Sequence, residues 1–568
     1  MLTKFEQIAD MFGAIARTRP HDVAVVQPCG TDAAGRRAYV HQTYRQMDED
    51  SSRLAYGLAE LGLGRGSRAV VMMKPSIDYF SLVFALFKLG AVPVHIDSGM
   101  DLENAGRCVA EAEPEAFFGD EESFTALVLL GWGKESVRLR VRVGAPSAVS
   151  GISLNDIRNS VPEGTAFETA AMSPEEPAMI AYTSGSTGVA KGAVAPHSYI
   201  SGIILGLRRG YESVSNQGHM SPFPPFLMFN FGIGLKSVIP DMNSSQPGMV
   251  DPDRIIRQIE DLGLQYLFAT PAFMERLERR ATAENITLTS LKRVLWAGSA
   301  VHPSELARFK RLTPNAEIVC VYSSTEATPI ATIESGEILA TAKRTETGGG
   351  ICLGRPIPGM DVRIAAISDA PIAQWTDDLE VRRGETGEIC VRGATVSPFY
   401  LNRPDATRMA KIPDPKDGSF FHRMGDLGYV DEEGRLWFCG RKDHRVETRR
   451  GLLLSSACEG VFDAHQAVRR SGLAGVQRDG ETIGVLCVQL ETGAEPETLQ
   501  SELLELAQSH STTRAIDTIL FHPSLPVDTR HNSKIVREKL AVWAARRLEE
   551  SARHSQHSLT AVYAEAGR

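Results

Sequence analysis

The sequence predicts an α/β protein with a large multi-lobed N-terminal domain, built of parallel α/β sheets plus a small β lobe, and a small α+β domain after it. Three observations predict this. The chain has 568 residues, too many for one ordinary core. Up to about residue 346, short apolar strands alternate with amphipathic helices, the grammar of parallel sheets with right-handed crossovers. Beyond that point glycines punctuate short strands, and a charged run at 441–450 precedes a further set of helix and strand patterns.

The elements follow in order. A helix and then a strand, Val23 to Gln27, occupy the first segment. Thr43 opens a helix whose stripe includes Tyr44, Met47, Leu54 and Leu58, ended by Gly62 and Gly64. Arg68 to Met73 reads as a buried strand, Ile77 to Leu89 as a buried helix and Ala91 to Ile96 as the next strand. Gly131 to Ser150 is irregular. Pro196 to Leu207 begins another helix. Pro222 to Gly234 is rich in aromatics and breakers and reads as a loop that either packs as core or lines an apolar pocket. Tyr266 to Ala269, Arg293 to Trp296 and Glu317 to Tyr322 are strands, with Pro271 starting a helix at its first turn. The last two strands end in small or polar residues, Ala297 to Ala300 and Ser323 to Ala327, and ligands of open α/β sheets sit beyond such carboxyl ends. The antiparallel lobe takes in Val362 to Ala366, Glu388 to Arg392 and Leu436 to Cys439. The tail from Leu548 is polar and is expected to fray.

One stretch stands out for chemistry: Tyr182-Thr-Ser-Gly-Ser-Thr-Gly-Val-Ala-Lys-Gly192. Its glycines let backbone N–H groups approach an anion closely. Thr183, Ser184, Ser186 and Thr187 add hydroxyls, and Lys191 adds a positive charge. A loop of this make-up suits phosphate. It is not a Walker A loop, because Ala190 precedes the lysine and Gly192 follows it. The alternative is a plain flexible Ser/Gly loop.

Composition narrows the classes. A net charge of −9 leaves no basic excess for a nucleic-acid backbone, whereas a nucleotide needs only a local basic site. The eight cysteines form no C-x-x-C pair, which argues against a zinc site or a disulfide framework and for reduced thiols in a cytoplasmic protein. Glu6 and Asp10 interrupt any secretory leader. The most apolar window, Phe80 to Ile96, contains Lys88, Gly90 and Pro93, too broken to span a bilayer.

Taken together the motifs resemble those of the adenylate-forming superfamily, which includes acyl-CoA synthetases, adenylation domains of peptide synthetases and luciferases. Phe87-Lys-Leu-Gly-Ala-Val-Pro93 matches its early core motif, and the serine–glycine stretch its phosphate loop, with Ala190 where proline is usual. Tyr322-Ser-Ser-Thr-Glu-Ala327 matches the aromatic-G-S-T-E motif, with Ser323 in place of glycine. Gly387 to Gly393 with Tyr400 and Arg403, Arg423-Met-Gly-Asp426, Gly440-Arg-Lys-Asp443 and Asn532-Ser-Lys534 match the remaining motifs in family order.

The resemblance implies ATP and Mg²⁺ as cofactors. It implies that Thr183, Ser184, Gly185, Ser186, Thr187, Gly188 and Lys191 hold the β and γ phosphates, with Thr187 among the catalytic residues. Gly298, Ser299 and Ala300 would flank adenine, Tyr322 would stack on its face, and Ser324 and Thr325 after it would also bind the nucleotide. Glu326 would bind the metal, Asp426 the ribose, and Arg441 the ribose or a phosphate. Lys534 would reach the carboxylate and the α phosphate. The implied division is an adenylation domain at 1–440, a mobile lid at 441–547 and a polar tail at 548–568.

Several stretches, among them Phe84 to Pro93, Phe223-Pro-Pro-Phe226, His422 to Asp426, His444 to Thr448 and Arg537 to Trp543, resemble the β-lactone synthetases of bacterial olefin biosynthesis. That resemblance implies a 3-hydroxy fatty acid whose own hydroxyl attacks the adenylate, and association with other olefin-pathway enzymes. A fatty acyl-CoA or carrier-protein ligase is the alternative. Glu447, where CoA-using relatives often carry lysine, favours the lactone reading. Asn230-Phe-Gly232 departs from the lactone-forming pattern in the expected acyl pocket, and Leu453 to Gly460 departs from it after the hinge.

Overall fold

The computed structural model describes residues 5–565 apart from 34, 98, 145–150, 184–188, 212–215, 300 and 529–533. The side chains of 183, 224, 497 and 552–565 also lie outside the description.

Two sheets frame the large N-terminal part. The first has seven strands in the order Ile152–Ser153, Leu139–Arg142, Ala116–Gly119, Arg68–Met72, Val92–His95, Pro177–Thr183 and Lys191–Pro196. All neighbours run parallel except the last pair, which is a hairpin. The second sheet has a parallel centre through Lys236–Val238, Gly218–Met220, Tyr266–Ala269, Arg293–Trp296 and Glu317–Ser324. It continues, antiparallel, through Ala327–Glu334, Ile351–Pro356, Leu436–Arg441, Phe420–Val430, Gly387–Arg392 and Asp361–Ala365. The expected β lobe is therefore an antiparallel extension of the second sheet, reached through Ile351–Pro356.

Between the sheets lies the largest core. The helix Ile77–Leu89 is buried along almost its whole length, and Ser76 caps its start. Phe84 packs against Phe12 at a centroid separation of 4.5 Å and against Phe231 at 5.2 Å. Such aromatic pairs each add about 0.5–1.5 kcal/mol beyond burial. Lys88 is buried in this core, and its Nζ donates to Asp48 Oδ1 at 2.7 Å and to Ser52 Oγ at 2.8 Å, which offsets the cost of burying the charge. The helix Tyr44–Glu60 begins where the sequence placed it, with a capping box between Thr43 and Gln46.

The stretch 222–234 differs from the expectation. It is a helix, Pro224–Ile233, rather than a loop, with proline at its first turn and Gly234 in the left-handed conformation at its end. Apolar residues all around it erase the helical period, and the prolines that read as breakers start it. Its Phe231 and Met228 are core, whereas Phe226 and Phe229 also face a cleft. Asn230 is buried, with His219 Nδ1 at 2.8 Å and Ser237 Oγ at 3.1 Å, so it ties the helix to two strands.

The smaller C-terminal part carries its own sheet of Val468–Arg478, Glu481–Leu490 and Ile516–Phe521. The helices Ser455–Phe462, Pro496–Ser509 and Arg537–Glu565 accompany it. The last helix runs on through the polar stretch after Leu548. Seven of the eight cysteines are buried and all are free, so no disulfide contributes. No helix among the described residues is long and apolar enough to cross a membrane.

Within the antiparallel extension, the approach of Ile351–Pro356 to Ala327–Glu334 is tight at Gly354. Its φ is +78°, and a Cβ there would lie 2.1 Å from the carbonyl oxygen of Thr332. Gly354→Ala is expected to destabilise the protein by about 2–4 kcal/mol, from strained backbone plus forced separation of paired strands. Urea unfolding would read this, and an unchanged midpoint would show that the contact tolerates a side chain.

Candidate active site

Residues at the bases of two hairpin turns, a strand pair and Lys534 of the C-terminal part line a single cleft of about 2430 Å³. The first turn joins Pro177–Thr183 to Lys191–Pro196, with Thr183 and Lys191 paired across its base. It leaves the carboxyl end of a parallel strand, as ligand-binding loops of α/β sheets do. Ser184, Gly185, Ser186, Thr187 and Gly188 and the side chain of Thr183 lie outside the described residues, as does Ala300. Lys191 lines the cleft, and its Nζ stands 5.4 Å over the ring of Tyr400.

The second turn carries Thr325 and Glu326 between paired Ser324 and Ala327. Ser324 Oγ accepts from the backbone N–H groups of Glu326 and Ala327, both at 3.2 Å, which fixes the turn. Tyr199 Oη donates to the Thr325 carbonyl at 3.0 Å. Glu326 faces the cleft, with Tyr400 Oη donating to its Oε1 at 2.8 Å. One carboxylate oriented in this way suits Mg²⁺, which takes one or two protein carboxylates and completes its shell with phosphate and water. Among the described residues no cluster of three metal-binding side chains forms.

The third site element is a pair of strands. Asp426, on Phe420–Val430, stands opposite Arg441, on Leu436–Arg441. Arg441 Nη1 donates to Asp426 Oδ1 at 2.7 Å, and Tyr322 Oη donates to Oδ2 at 2.6 Å. Burial and the charge of Asp426 push the Tyr322 hydroxyl well above its ordinary pKa, so it stays a donor. Each carboxylate oxygen accepts more than one hydrogen bond, so Asp426 keeps capacity for two ligand hydroxyls. Gly298, at the end of Arg293–Trp296, has φ +102° and lines the cleft with Ser299.

Lys534 enters from the C-terminal part. Its backbone N–H donates to Asp528 Oδ1 at 2.8 Å, and Asp528 N–H donates to its carbonyl at 2.9 Å. Val527 and Ile535 pair below them, closing the base of a loop whose lysine lines the cleft. The two parts are bridged by Arg469 to Glu275 at 3.0 Å and His302 to Asp463 at 3.4 Å. Beside the cleft, Glu388 is buried between Arg423 at 2.6 Å and Lys442 at 3.4 Å, and the carbonyl of Ser368 accepts from both cations.

Lys191, Gly298, Ser299, Tyr322, Ser324, Thr325, Glu326, Asp426, Arg441 and Lys534, all expected from the sequence, thus share one cleft. A family model described as "AMP-binding enzyme" matches residues 12–401. The chain belongs to the AMP-binding enzyme family.

Within this family, the chain is 42% identical to an olefin beta-lactone synthetase of Stenotrophomonas maltophilia, over 96% of this chain and 99% of the relative. It is 40% identical to an olefin beta-lactone synthetase of Xanthomonas campestris, over 96% of this chain and 98% of the relative. A 4-chlorobenzoate–CoA ligase of Arthrobacter is 28% identical over 86% of each. Among solved structures, the amide bond synthetase McbA of Marinactinospora thermotolerans superposes with a TM-score of 0.77 at 22% identity, covering 94% of this chain and 99% of that one. The anthranilate CoA ligase AuaEII in complex with anthranoyl-AMP gives 0.78 at 18% identity, covering 97% and 99%. Both establish the shared fold.

Sequence reasoning missed the grip of Tyr400 on Glu326, since 74 residues separate them. The Arg423–Glu388–Lys442 cluster was equally hidden, since its members come from three separate stretches of the chain. Asn230, Phe231 and Gly232 do not line the cleft, so that departure from the lactone-forming pattern belongs to packing. Glu388→Ala is expected to cost about 3–5 kcal/mol, because it strands two buried cations. A thermal melt would check this, and a loss no larger than that of an exposed glutamate would refute it.

Proposed function

We propose that the protein is an ATP-dependent, acid-activating ligase that forms a β-lactone from a long-chain 3-hydroxy fatty acid. The observation that carries the reading is similarity over nearly the whole chain to two olefin beta-lactone synthetases, with every described site residue facing one cleft.

The residues divide the work. Lys191 and the serine–glycine loop hold the β and γ phosphates. Glu326, oriented by Tyr400, holds Mg²⁺, which when bound neutralises phosphate charge. Asp426 accepts from the ribose hydroxyls while Tyr322 and Arg441 keep its carboxylate in place. Gly298 and Ser299 allow close approach of the adenine. The carboxylate oxygen of the acid attacks the α phosphorus, the α–β bridge breaks, and pyrophosphate leaves. Lys534 places its charge between the attacking carboxylate and the α phosphate, where negative charge must be brought together.

The second step needs no further substrate. The 3-hydroxyl oxygen attacks the adenylate carbonyl carbon, the carbonyl–phosphate bond breaks, and AMP leaves. The hydroxyl proton departs to a phosphate oxygen or a base. An internal nucleophile has a high effective concentration, which helps to close a strained four-membered ring. Room for a long chain is supported by the helix His197–Gly210, which turns Gly202, Ile203 and Gly206 toward the cleft opposite Val319 and Val321. A Cβ on Gly206 would meet nothing within 4 Å. Residues 441–547 act as the lid that carries Lys534, and the enzyme works in the cytoplasm beside other olefin-pathway enzymes.

Incubation with ATP, Mg²⁺ and a long-chain 3-hydroxy acid is expected to yield a β-lactone, AMP and pyrophosphate without CoA, detected by mass spectrometry. A product that forms only with CoA and contains it would assign the protein to the acyl-CoA ligases instead. Lys534→Ala should lower carboxylate-dependent ATP–pyrophosphate exchange at least about a hundredfold, the scale of losing one preorganised charge contact, while ATP still binds. Normal exchange would remove Lys534 from the mechanism.

A further inference from the structure

At the cleft, within reach of the Lys191 charge, stands a basic pair that the assignments above leave unused. Lys411, on the short strand Lys411–Pro413, is directly opposite His422 on Phe420–Val430. Side chains so paired project from the same face with Cβ atoms roughly 5 Å apart. Both residues are buried, and His422 lines the cleft. Lys411 Nζ donates to the Ser397 carbonyl and stands 5.0 Å over the Phe420 ring. Ser397 N–H in turn donates to the Glu326 carbonyl at 2.7 Å, so the pair is built into the support of the Glu326 turn.

The imidazole has a defined orientation. Its Nδ1 lies 3.2 Å from the carbonyl oxygen of Ala410. A carbonyl only accepts, so Nδ1 carries a proton, and Nε2 of the neutral ring is bare. Burial, then the positive charges of Lys411 and Lys191, hold His422 well below the usual histidine range, so the ring is neutral before ligand arrives. The groups that act on it are Lys411 on the paired strand, Lys191 of the phosphate turn and the Ala410 carbonyl. The adjacent Arg423 is engaged with Glu388. Burial likewise brings Lys411 down to about 7, against the raising effect of Glu326.

Two buried basic groups thus share one face, with Lys191 acting on His422 and Glu326 on Lys411. We propose that His422, with Lys411 beside it, is a further part of the polyphosphate site, binding the β and γ phosphates of ATP and the pyrophosphate after cleavage, and that it takes up a proton as it does so. A bare Nε2 repels a phosphate oxygen, whereas a protonated one donates to it, so binding and protonation go together. By linkage, affinity for pyrophosphate falls as pH rises, because the bound state holds the extra proton. Lys411 acts as a positioning residue, adding charge to the site and setting how readily the ring protonates.

This inference rests on the reading of the serine–glycine turn as a polyphosphate grip, and calorimetry separates the two. Magnesium pyrophosphate, MgATP and AMP are titrated into the full chain in two buffers of different ionisation enthalpy. The unmodified protein is expected to bind all three, and to take up protons with pyrophosphate and MgATP but not with AMP. In His422→Gln, pyrophosphate and MgATP are expected to bind about tenfold more weakly, the size of one charge-assisted hydrogen bond, with AMP affinity unchanged and proton uptake lost. Lys411→Met is expected to move the pH at which pyrophosphate affinity declines upward, by relieving repulsion on the ring. The proposal is overturned if AMP affinity falls in step with that of pyrophosphate, which marks a merely structural role. It is overturned equally if His422→Gln leaves pyrophosphate binding intact, or if the unmodified protein takes up no proton. Failure of the unmodified protein to bind pyrophosphate or MgATP at all would instead remove the polyphosphate reading itself.

Discussion

The carboxylate of Asp426 ties the cleft together. Tyr322 reaches it from the end of a parallel strand, and Arg441 reaches it across an antiparallel pair. A buried carboxylate left alone would be costly, so these two partners are a condition of its presence. They also join the parallel centre of the second sheet to its antiparallel extension within the binding site. Gly354 permits close backbone packing within that extension, where Ile351–Pro356 lies between Ala327–Glu334 and Leu436–Arg441. The strand Lys191–Pro196 is tied in from the first sheet, since Leu401 N–H donates to the Gly192 carbonyl at 2.8 Å and Ala193 pairs with Tyr400.

This arrangement explains why one fold can serve many carboxylic acids. The groups proposed to handle nucleotide sit on sheet ends and turns held by backbone pairing. The surface proposed for the acid is different in kind: Phe226 stacked on Phe268 at 4.2 Å, and a helix face opened by glycine. The first kind of surface is rigid and polar, and the second changes with single side chains. A lactone-forming step asks little more of the protein than to exclude water and fold the chain so that its hydroxyl meets the activated carbonyl.

Much of the fold was legible in the sequence, for identifiable reasons. Ile77–Leu89 was bounded correctly because Ser76 caps it and Gly90 ends it in the left-handed conformation, both local signals. The Thr43 capping box was legible for the same reason. Pro224–Ile233 was not, because a helix buried on all sides has no amphipathic period. In the site, Lys191, Glu326, Asp426 and Lys534 were legible because each lies within a contiguous motif. Tyr400 on Glu326, Glu388 between two cations, and Lys411 opposite His422 were not, because each pairing is created by the meeting of segments distant in sequence, which no local pattern encodes. The joining of the β lobe to the second sheet was hidden similarly, since it depends on which edges meet.

The pairing of Asp426 with Arg441 has a mechanical consequence. Arg441 is the last residue of its strand, and Lys442, held by Glu388 and Ser368, is the next residue along the path to the C-terminal part. A rotation of that part which pulled residue 441 from its register would also remove a partner from Asp426, the carboxylate proposed to bind ribose. Coupling of this kind is reciprocal. On the proposed function, whatever strengthens a nucleotide's hold on Asp426 favours the docked arrangement by the same free energy with which docking favours the nucleotide. The release of AMP and the release of the proposed lid would then be one event described from two ends of a single hydrogen-bonded strand pair.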